Sequence, residues 1–280
     1  LLEKKPEDRY ASAMHLLHVL GDGPDDEVDD DAPWPPRTVG RTPIRAQLRQ
    51  ALDDLATAQT GASLLLSGPP GMGKTRLMDL AEAYARRRGL RVGRGRCRPQ
   101  DRPFGAFIGV YRGLVHELAP PVLRDALSGV DDGQIRERYP VIAAFRDLVV
   151  ERAPVVVMLD DLEFADSATV ELIDYLVRNT LELQKTPVVY LFAQEAAPGT
   201  ETVAALHLLR GAATRKLALA PFTPSEVEEL VLSVLPNEPA SIRLAERLHE
   251  VSEGSPAHLV DMLRALLDEG VLRRDGGRLA

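Results

Sequence analysis

One cysteine, Cys97, stands in 280 residues. No internal disulfide can form, which fits a reducing compartment. With no His or Cys beside it a metal site there is not expected, and Cys97 reads as a small buried residue. Aromatics are only 5% of the chain and Trp occurs once, at Trp34, so the core must be built from Leu, Val and Ala. There is no run of eighteen apolar residues and no signal-peptide pattern; the expectation is a cytoplasmic protein with no membrane association. There is no internal repeat. Positive charge is also short, since the net charge is −8. That deficit is local. Asp22, Asp25, Asp26, Glu27, Asp29, Asp30 and Asp31 carry seven charges with no basic residue among them, and the remainder is −1. A nearly neutral body argues against a general nucleic-acid surface.

The acidic tract runs on into Ala32-Pro33-Trp34-Pro35-Pro36, and residues 21–37 read as a linker because like charges and prolines bury too little apolar surface to fold. Before it, Ala11, Met14, Leu17 and Leu20 recur at helical spacing. After it, Ile44, Leu48, Leu52 and Leu55 form a second helical stripe. Strands are expected at Ala62–Ser67, from Arg91-Val92-Gly93, at Val155–Leu159, at Val188–Phe192 and at Lys216–Leu219, with helices between them. That order predicts an α/β fold with a mostly parallel five-stranded sheet covered on both faces. From Thr223 onward the chain reads all-helical, with segments starting near Pro224, Ala240 and Pro256. The resulting division is an α/β core over 38–221, a helical part over 222–269, and the opening of another element over 270–280. The start at Leu1 rather than Met adds the expectation of a piece of a longer protein.

Between the first strand and its helix stands Gly68-Pro69-Pro70-Gly71-Met72-Gly73-Lys74-Thr75, a match to G-x-x-x-x-G-K-[ST]. In the context strand–loop–helix this is a phosphate-binding P-loop. Its glycines let backbone N–H groups converge on a polyphosphate at the positive end of a helix. These loop residues and the following Arg76 are the expected nucleotide contacts, with Lys74 at the β/γ-phosphates and the Thr75 hydroxyl on Mg²⁺. The strand Val155–Leu159 ends in Asp160-Asp161. Ligands of open α/β sheets bind at the carboxyl ends of strands, so Asp160 is the expected second Mg²⁺ residue. Asp161 and Glu163 are the candidates for orienting or deprotonating the attacking water. Asp166 reads as a helix cap. Eight arginines between Arg86 and Arg102 read as a helix C-terminus followed by a solvated strand edge; the other reading, a phosphate or nucleic-acid contact, has no aromatic interleaved before Phe104 to support it.

The segment from Val39 to Leu272 resembles the ATPase module of the STAND class of P-loop NTPases. Val39-Gly40-Arg41 is similar to the VGRE stretch of that class, with Thr42 in place of Glu. GPPGMGKTRL is similar to its P-loop. VVVMLDDLEFAD, from Val155 to Asp166, is similar to its DDLxWAD signature with Phe164 for Trp. Gly254-Ser255-Pro256 is similar to the G-x-P motif of its helical lid. The resemblance implies that Gly40 and Arg41 lie beside the adenine, that Pro256 approaches the nucleotide, and that ATP or ADP with Mg²⁺ binds between core and lid. Where the class has an Arg sensing the γ-phosphate, this chain has Ala193-Gln194-Glu195. Gln194 is expected at the carboxyl end of the fourth strand facing the γ-phosphate, where it brings a hydrogen bond without charge. Leu1 to Leu20 resembles the last helices of a eukaryotic-type Ser/Thr kinase domain, although no Gly-rich kinase loop, HRD or DFG is present.

Together these imply an ATP-binding, slowly hydrolysing regulatory switch, part of a kinase–ATPase fusion, with protein partners or self-association through the lid and the region C-terminal to it. Two other classes stay open. One is a nucleic-acid-associated ATPase of the origin-recognition kind, which would need a winged helix after Val271. The other is a nucleotide-free interaction module, against which Lys74, Thr75 and Asp160 weigh.

Overall fold

A parallel strand covered on both faces must be apolar at consecutive positions rather than alternate ones. In the computed structural model the segments that satisfy this are β1 (Ala62–Gly68), β3 (Val155–Asp160) and β4 (Val188–Glu195); β2 (Arg91–Arg96) and β5 (Thr214–Ala218) join them. The five form one sheet of order β2-β3-β4-β1-β5 with every pairing parallel, as the alternation of strands and helices predicts. The structure describes residues 39–100, 102–115, 123, 138–196, 202–210, 214–236, 238–272, 274–275 and 278–279. The kinase-like segment 1–20 and the linker 21–37 lie outside them.

The described residues divide into two compact units, one spanning Thr42–Ala220, the other taking Pro221 onward together with the segment before Thr42. In the first, α1 (Thr42–Ala58) and α2 (Lys74–Arg87) cover one sheet face. Leu48, Leu52 and Leu55 of the expected stripe are buried there with Leu64, Leu66, Val156 and Met158. The other face is covered by α3 (Phe107–Leu114), α4 (Arg138–Arg152), α5 (Ser167–Leu176) and α6 (Val203–Arg210). Asp166 caps α5 as expected, its carboxylate accepting from the N–H groups of Ala168 at 2.9 Å and Thr169 at 3.0 Å.

The seat of α3 on β2 explains an odd strand sequence, Arg-Val-Gly-Arg-Gly-Arg. A Cβ on Gly95 would lie 1.9 Å from the Ala106 carbonyl oxygen, and one on Gly93 2.6 Å from that of Val110. Reciprocally, a Cβ on Gly109 would lie 2.3 Å from the Arg94 carbonyl oxygen, and one on Gly113 2.4 Å from that of Val92. Backbone meets backbone with no room for a side chain. Side chains alternate across a strand, so Val92, Arg94 and Arg96 are all delivered to the opposite face, where Val92 joins the core under α2.

The second unit contains α7 (Pro224–Leu232), α8 (Pro239–Ser252) and α9 (Pro256–Asp268), each starting at a proline whose missing N–H costs nothing in a first helical turn. Thr223 and Glu226 form a reciprocal capping box on α7. After α9 come two short antiparallel strands, β6 (Arg274–Asp275) and β7 (Arg278–Leu279), within the stretch 270–280 read from sequence as the opening of another element. One expectation needs correction. Residues 39–41, assigned from sequence to the α/β core, pack in the helical unit. Val39 is buried with Phe222, Val227 and Leu259. The N–H of Arg41 donates to Glu226 Oε1 at 3.2 Å, and its guanidinium stacks 4.8 Å over the Phe222 ring. Gly40 and Arg41, both at positive φ, make the turn that permits this.

Candidate functional site

The P-loop turns where its sequence allows. Gly71 and Gly73 have φ of 74° and 85°, values a side chain resists, and Gly73 is the N-cap of α2. The first N–H groups of α2 have no intrahelical partner, which makes this end an anion site. Lys74, the first helical residue, is buried; its Nζ donates to the carbonyls of Gly68 and Pro69, each at 2.8 Å. Burial lowers the pKa of its ammonium, and the nearby carboxylates of Glu195 and Glu163 oppose that shift. Met72 is buried in the core beneath α1 and α2, so its side chain packs the loop down, whereas Pro70 and Gly71 are exposed at the tip. Pro69 and Arg76 are half-buried on either side.

β1 and β3 place their carboxyl ends on the same edge of the parallel sheet, so Thr75 and Asp160 meet although 85 residues separate them. Thr75 Oγ1 donates to Asp160 Oδ2 at 3.0 Å, while Asp160 Oδ1 accepts the N–H of Asp161 at 3.0 Å. Asp160 is 2% exposed. Burial and then the neighbouring Asp161 carboxylate push its carboxyl above the usual range. A hydroxyl and a carboxylate side by side at a phosphate-binding helix end are the hard oxygen donors Mg²⁺ takes alongside phosphate and water. The donor set therefore fits that ion.

The three residues considered for catalysis part company. Asp161 adopts a left-handed backbone, φ 56°, and its carboxylate pairs with the Nε of Arg96 at the end of β2. Glu163, on the following 3-10 turn Leu162–Phe164, accepts the N–H of Glu195 through Oε2 at 2.9 Å. Burial raises its pKa. Glu195 is paired in register with Gly68, so this contact holds Glu163 at the strand end beside the P-loop. Gln194, expected to face a phosphate, is fully buried. Its Nε2 donates to Ser67 Oγ at 3.1 Å, and its Oε1 accepts from the Thr202 hydroxyl at 2.7 Å and N–H at 3.3 Å. The amide thereby ties β4 to β1 and to the residue before α6. Gly40, Arg41 and Pro256 belong to the helical unit, where Pro256 opens α9. Arg94 and Arg96 are not singled out by sequence reasoning; their signal is the alternation with glycine in β2.

A β-strand, glycine loop and helix with a lysine at the helix start, beside a strand-terminal aspartate, define a P-loop NTPase. The description "AAA ATPase domain" matches residues 37–192. The chain belongs to that family, whose members generally use ATP or ADP with Mg²⁺. No curated protein matches the chain significantly in sequence. Among solved structures it is similar to the Aeropyrum pernix ORC1 protein in complex with DNA, with TM-score 0.56 and 18% identity over 88% of this chain. It is also similar to a chain of Drosophila ORC bound to DNA, with TM-score 0.54 and 15% identity over 97% of this chain. A mutant of Thermotoga maritima RuvB gives TM-score 0.51 and 15% identity over 84%. The chain spans 64%, 64% and 66% of those three chains respectively. Such identities establish the fold. Among the described residues no helix is long and apolar enough to cross a membrane.

Proposed function

We propose that the chain is an ATP-binding, slowly hydrolysing regulatory switch of the STAND class, in a protein whose preceding domain is a Ser/Thr kinase, working in the cytoplasm through protein partners or self-association. One observation carries the slow-switch reading: β4 ends in the buried amide of Gln194 followed by the acid Glu195, so this strand brings no cation to a γ-phosphate. A cation there stabilises the charge of the transition state and is worth orders of magnitude in rate. The class assignment rests on the ordered set Val39-Gly40-Arg41, GPPGMGKT, VVVMLDDLEFAD and Gly254-Ser255-Pro256. The kinase assignment rests on the LLEKKPEDRY stretch alone.

In this reading the P-loop N–H groups and Lys74 bind the phosphates. Thr75 and Asp160 hold Mg²⁺, which neutralises phosphate charge when bound. Glu163 orients the attacking water and takes its proton, because the Asp161 carboxylate is already engaged by Arg96. Glu163→Gln is expected to lower the single-turnover rate of ATP hydrolysis about 100-fold with little change in ATP affinity. Asp161→Asn should cost less than about tenfold by the same measure. Rapid-quench measurements on both variants decide, and the opposite ranking would return the base role to Asp161.

The likeness to ORC chains in DNA complexes favours a second reading, a nucleic-acid-associated ATPase. The net charge of −1 outside the acidic tract weighs against it. Duplex DNA binding in the presence of ATP, tight and steeply weakened by salt, would select it over the switch.

A further inference from the structure

Arg94 sits on the face of β2 opposite Gly93 and Gly95. Its guanidinium reaches three carboxylates. Nη1 lies 2.5 Å from Asp79 Oδ1 and 3.0 Å from Glu82 Oε2, and Nη2 lies 3.7 Å from Asp160 Oδ2. Asp79 and Glu82 are one turn apart on α2, and Thr75 is one turn before Asp79, so all three follow one stripe of that helix. Asp160 Oδ2 is also the oxygen that accepts the Thr75 hydroxyl. One arginine is thus fastened twice to the P-loop helix through Nη1 and presents its other terminal nitrogen, Nη2, to the buried carboxylate of β3. This is no solvated surface pair: the Arg94 side chain is 26% exposed and that of Asp160 3%. Burial works against the guanidinium's charge, and Asp79 and Glu82 more than offset it.

We propose that Arg94 is a resident cation at the Thr75–Asp160 pair, competing with Mg²⁺ for that carboxylate and so setting the magnesium concentration at which the protein retains nucleotide. The inference rests on reading Thr75 and Asp160 as the magnesium pair. Asp79 and Glu82 hold Arg94 in place, so its positive charge would remain beside Asp160 and oppose a metal held there. The eight-arginine stretch, read from sequence as a solvated edge, then has one member with a specific task.

The test is calorimetric binding of ADP to the full chain across a magnesium titration, including a metal-free arm with chelator. Arg94→Gln removes the charge and keeps hydrogen-bonding capacity, so the midpoint for Mg²⁺ should fall about tenfold while ADP binding in chelator stays near wild type. Arg94→Lys retains the charge and should keep the midpoint within about threefold of wild type. An unmoved or raised midpoint in Arg94→Gln overturns the proposal, as does Lys behaving like Gln. Should Arg94→Gln fail to fold, Glu82→Gln supplies the opposite sign. With one acid fewer to share, the guanidinium bears more strongly on Asp160 and the midpoint should rise; no change or a fall overturns the proposal. Asp160→Asn separates the two assignments. If its ADP binding depends on Mg²⁺ as in wild type, the magnesium pair itself is wrong. If that dependence is lost while Arg94→Gln leaves the midpoint unmoved, only the role of Arg94 falls.

Discussion

Lys74→Ala is expected to weaken ATP and ADP binding at least tenfold, about 1.4 kcal/mol. The lysine is buried at the first position of α2, and both of its hydrogen bonds go to P-loop carbonyls, Gly68 and Pro69. Those carbonyls are weak competitors for a flexible ammonium, so a phosphate can draw Nζ away at small cost. The P-loop N–H groups remain in the variant and still bind phosphate, which is why the loss is large without being total. Truncation also takes the donor from the Pro69 carbonyl, while that of Gly68 keeps the N–H of Ala196 at 3.2 Å, so the cost in stability is about 1 kcal/mol. Affinity must therefore be measured by calorimetry well below the variant's melting temperature. Equal affinities in the two proteins would remove the P-loop from the nucleotide site.

Gly95→Ala is expected to destabilise the protein by about 3 kcal/mol or more. The added Cβ would fall 1.9 Å from the Ala106 carbonyl oxygen, inside any van der Waals contact, and its neighbour on the other side is Leu159 of the core. Backbone cannot swing away as a side-chain tip can, so α3 must lift from β2. α3 carries Phe107, Val110 and Leu114 into the core, and the Phe107 ring packs 5.0 Å from that of Phe145 on α4. Lifting it therefore loosens α4 as well. Urea unfolding followed by circular dichroism measures the loss. A midpoint equal to wild type would mean that α3 does not seat on β2 as described.

Much of the site is legible in the sequence because its chemistry is local. A P-loop is eight consecutive residues, an apolar strand before an acid is six or seven, and the cap at Asp166 depends only on its next three neighbours. The parallel sheet follows from the same economy, since strands such as Val155–Leu159 can be apolar throughout only if covered on both faces. What escapes is set by contacts distant in sequence. Gln194 reads as free to meet a phosphate, yet its partners Ser67 and Thr202 come from another strand and a loop. Glycine at 93 and 95 reads as weakness in a strand until α3, with glycines of its own, is laid across it. Arg41 looks like part of the core because it directly precedes α1, whereas two residues at positive φ turn it toward Phe222. Arg94 is lost among seven other arginines, since composition cannot tell a solvated cation from one held by three acids.

The order of the sheet also ranks its strands by how readily each one lets go. Among the described residues, β1 is bonded to β4 on one side and β5 on the other, while β2 has a single strand neighbour, β3. Local opening events take edge strands before interior ones. Deuterium should therefore enter the amides of β2 earlier than those of β1. The loop that grips phosphate hangs from a strand among the last to open, and the two arginines that press on Asp160 and Asp161 ride on one of the first. An opening of β2 can thus come and go while the phosphate grip stays closed.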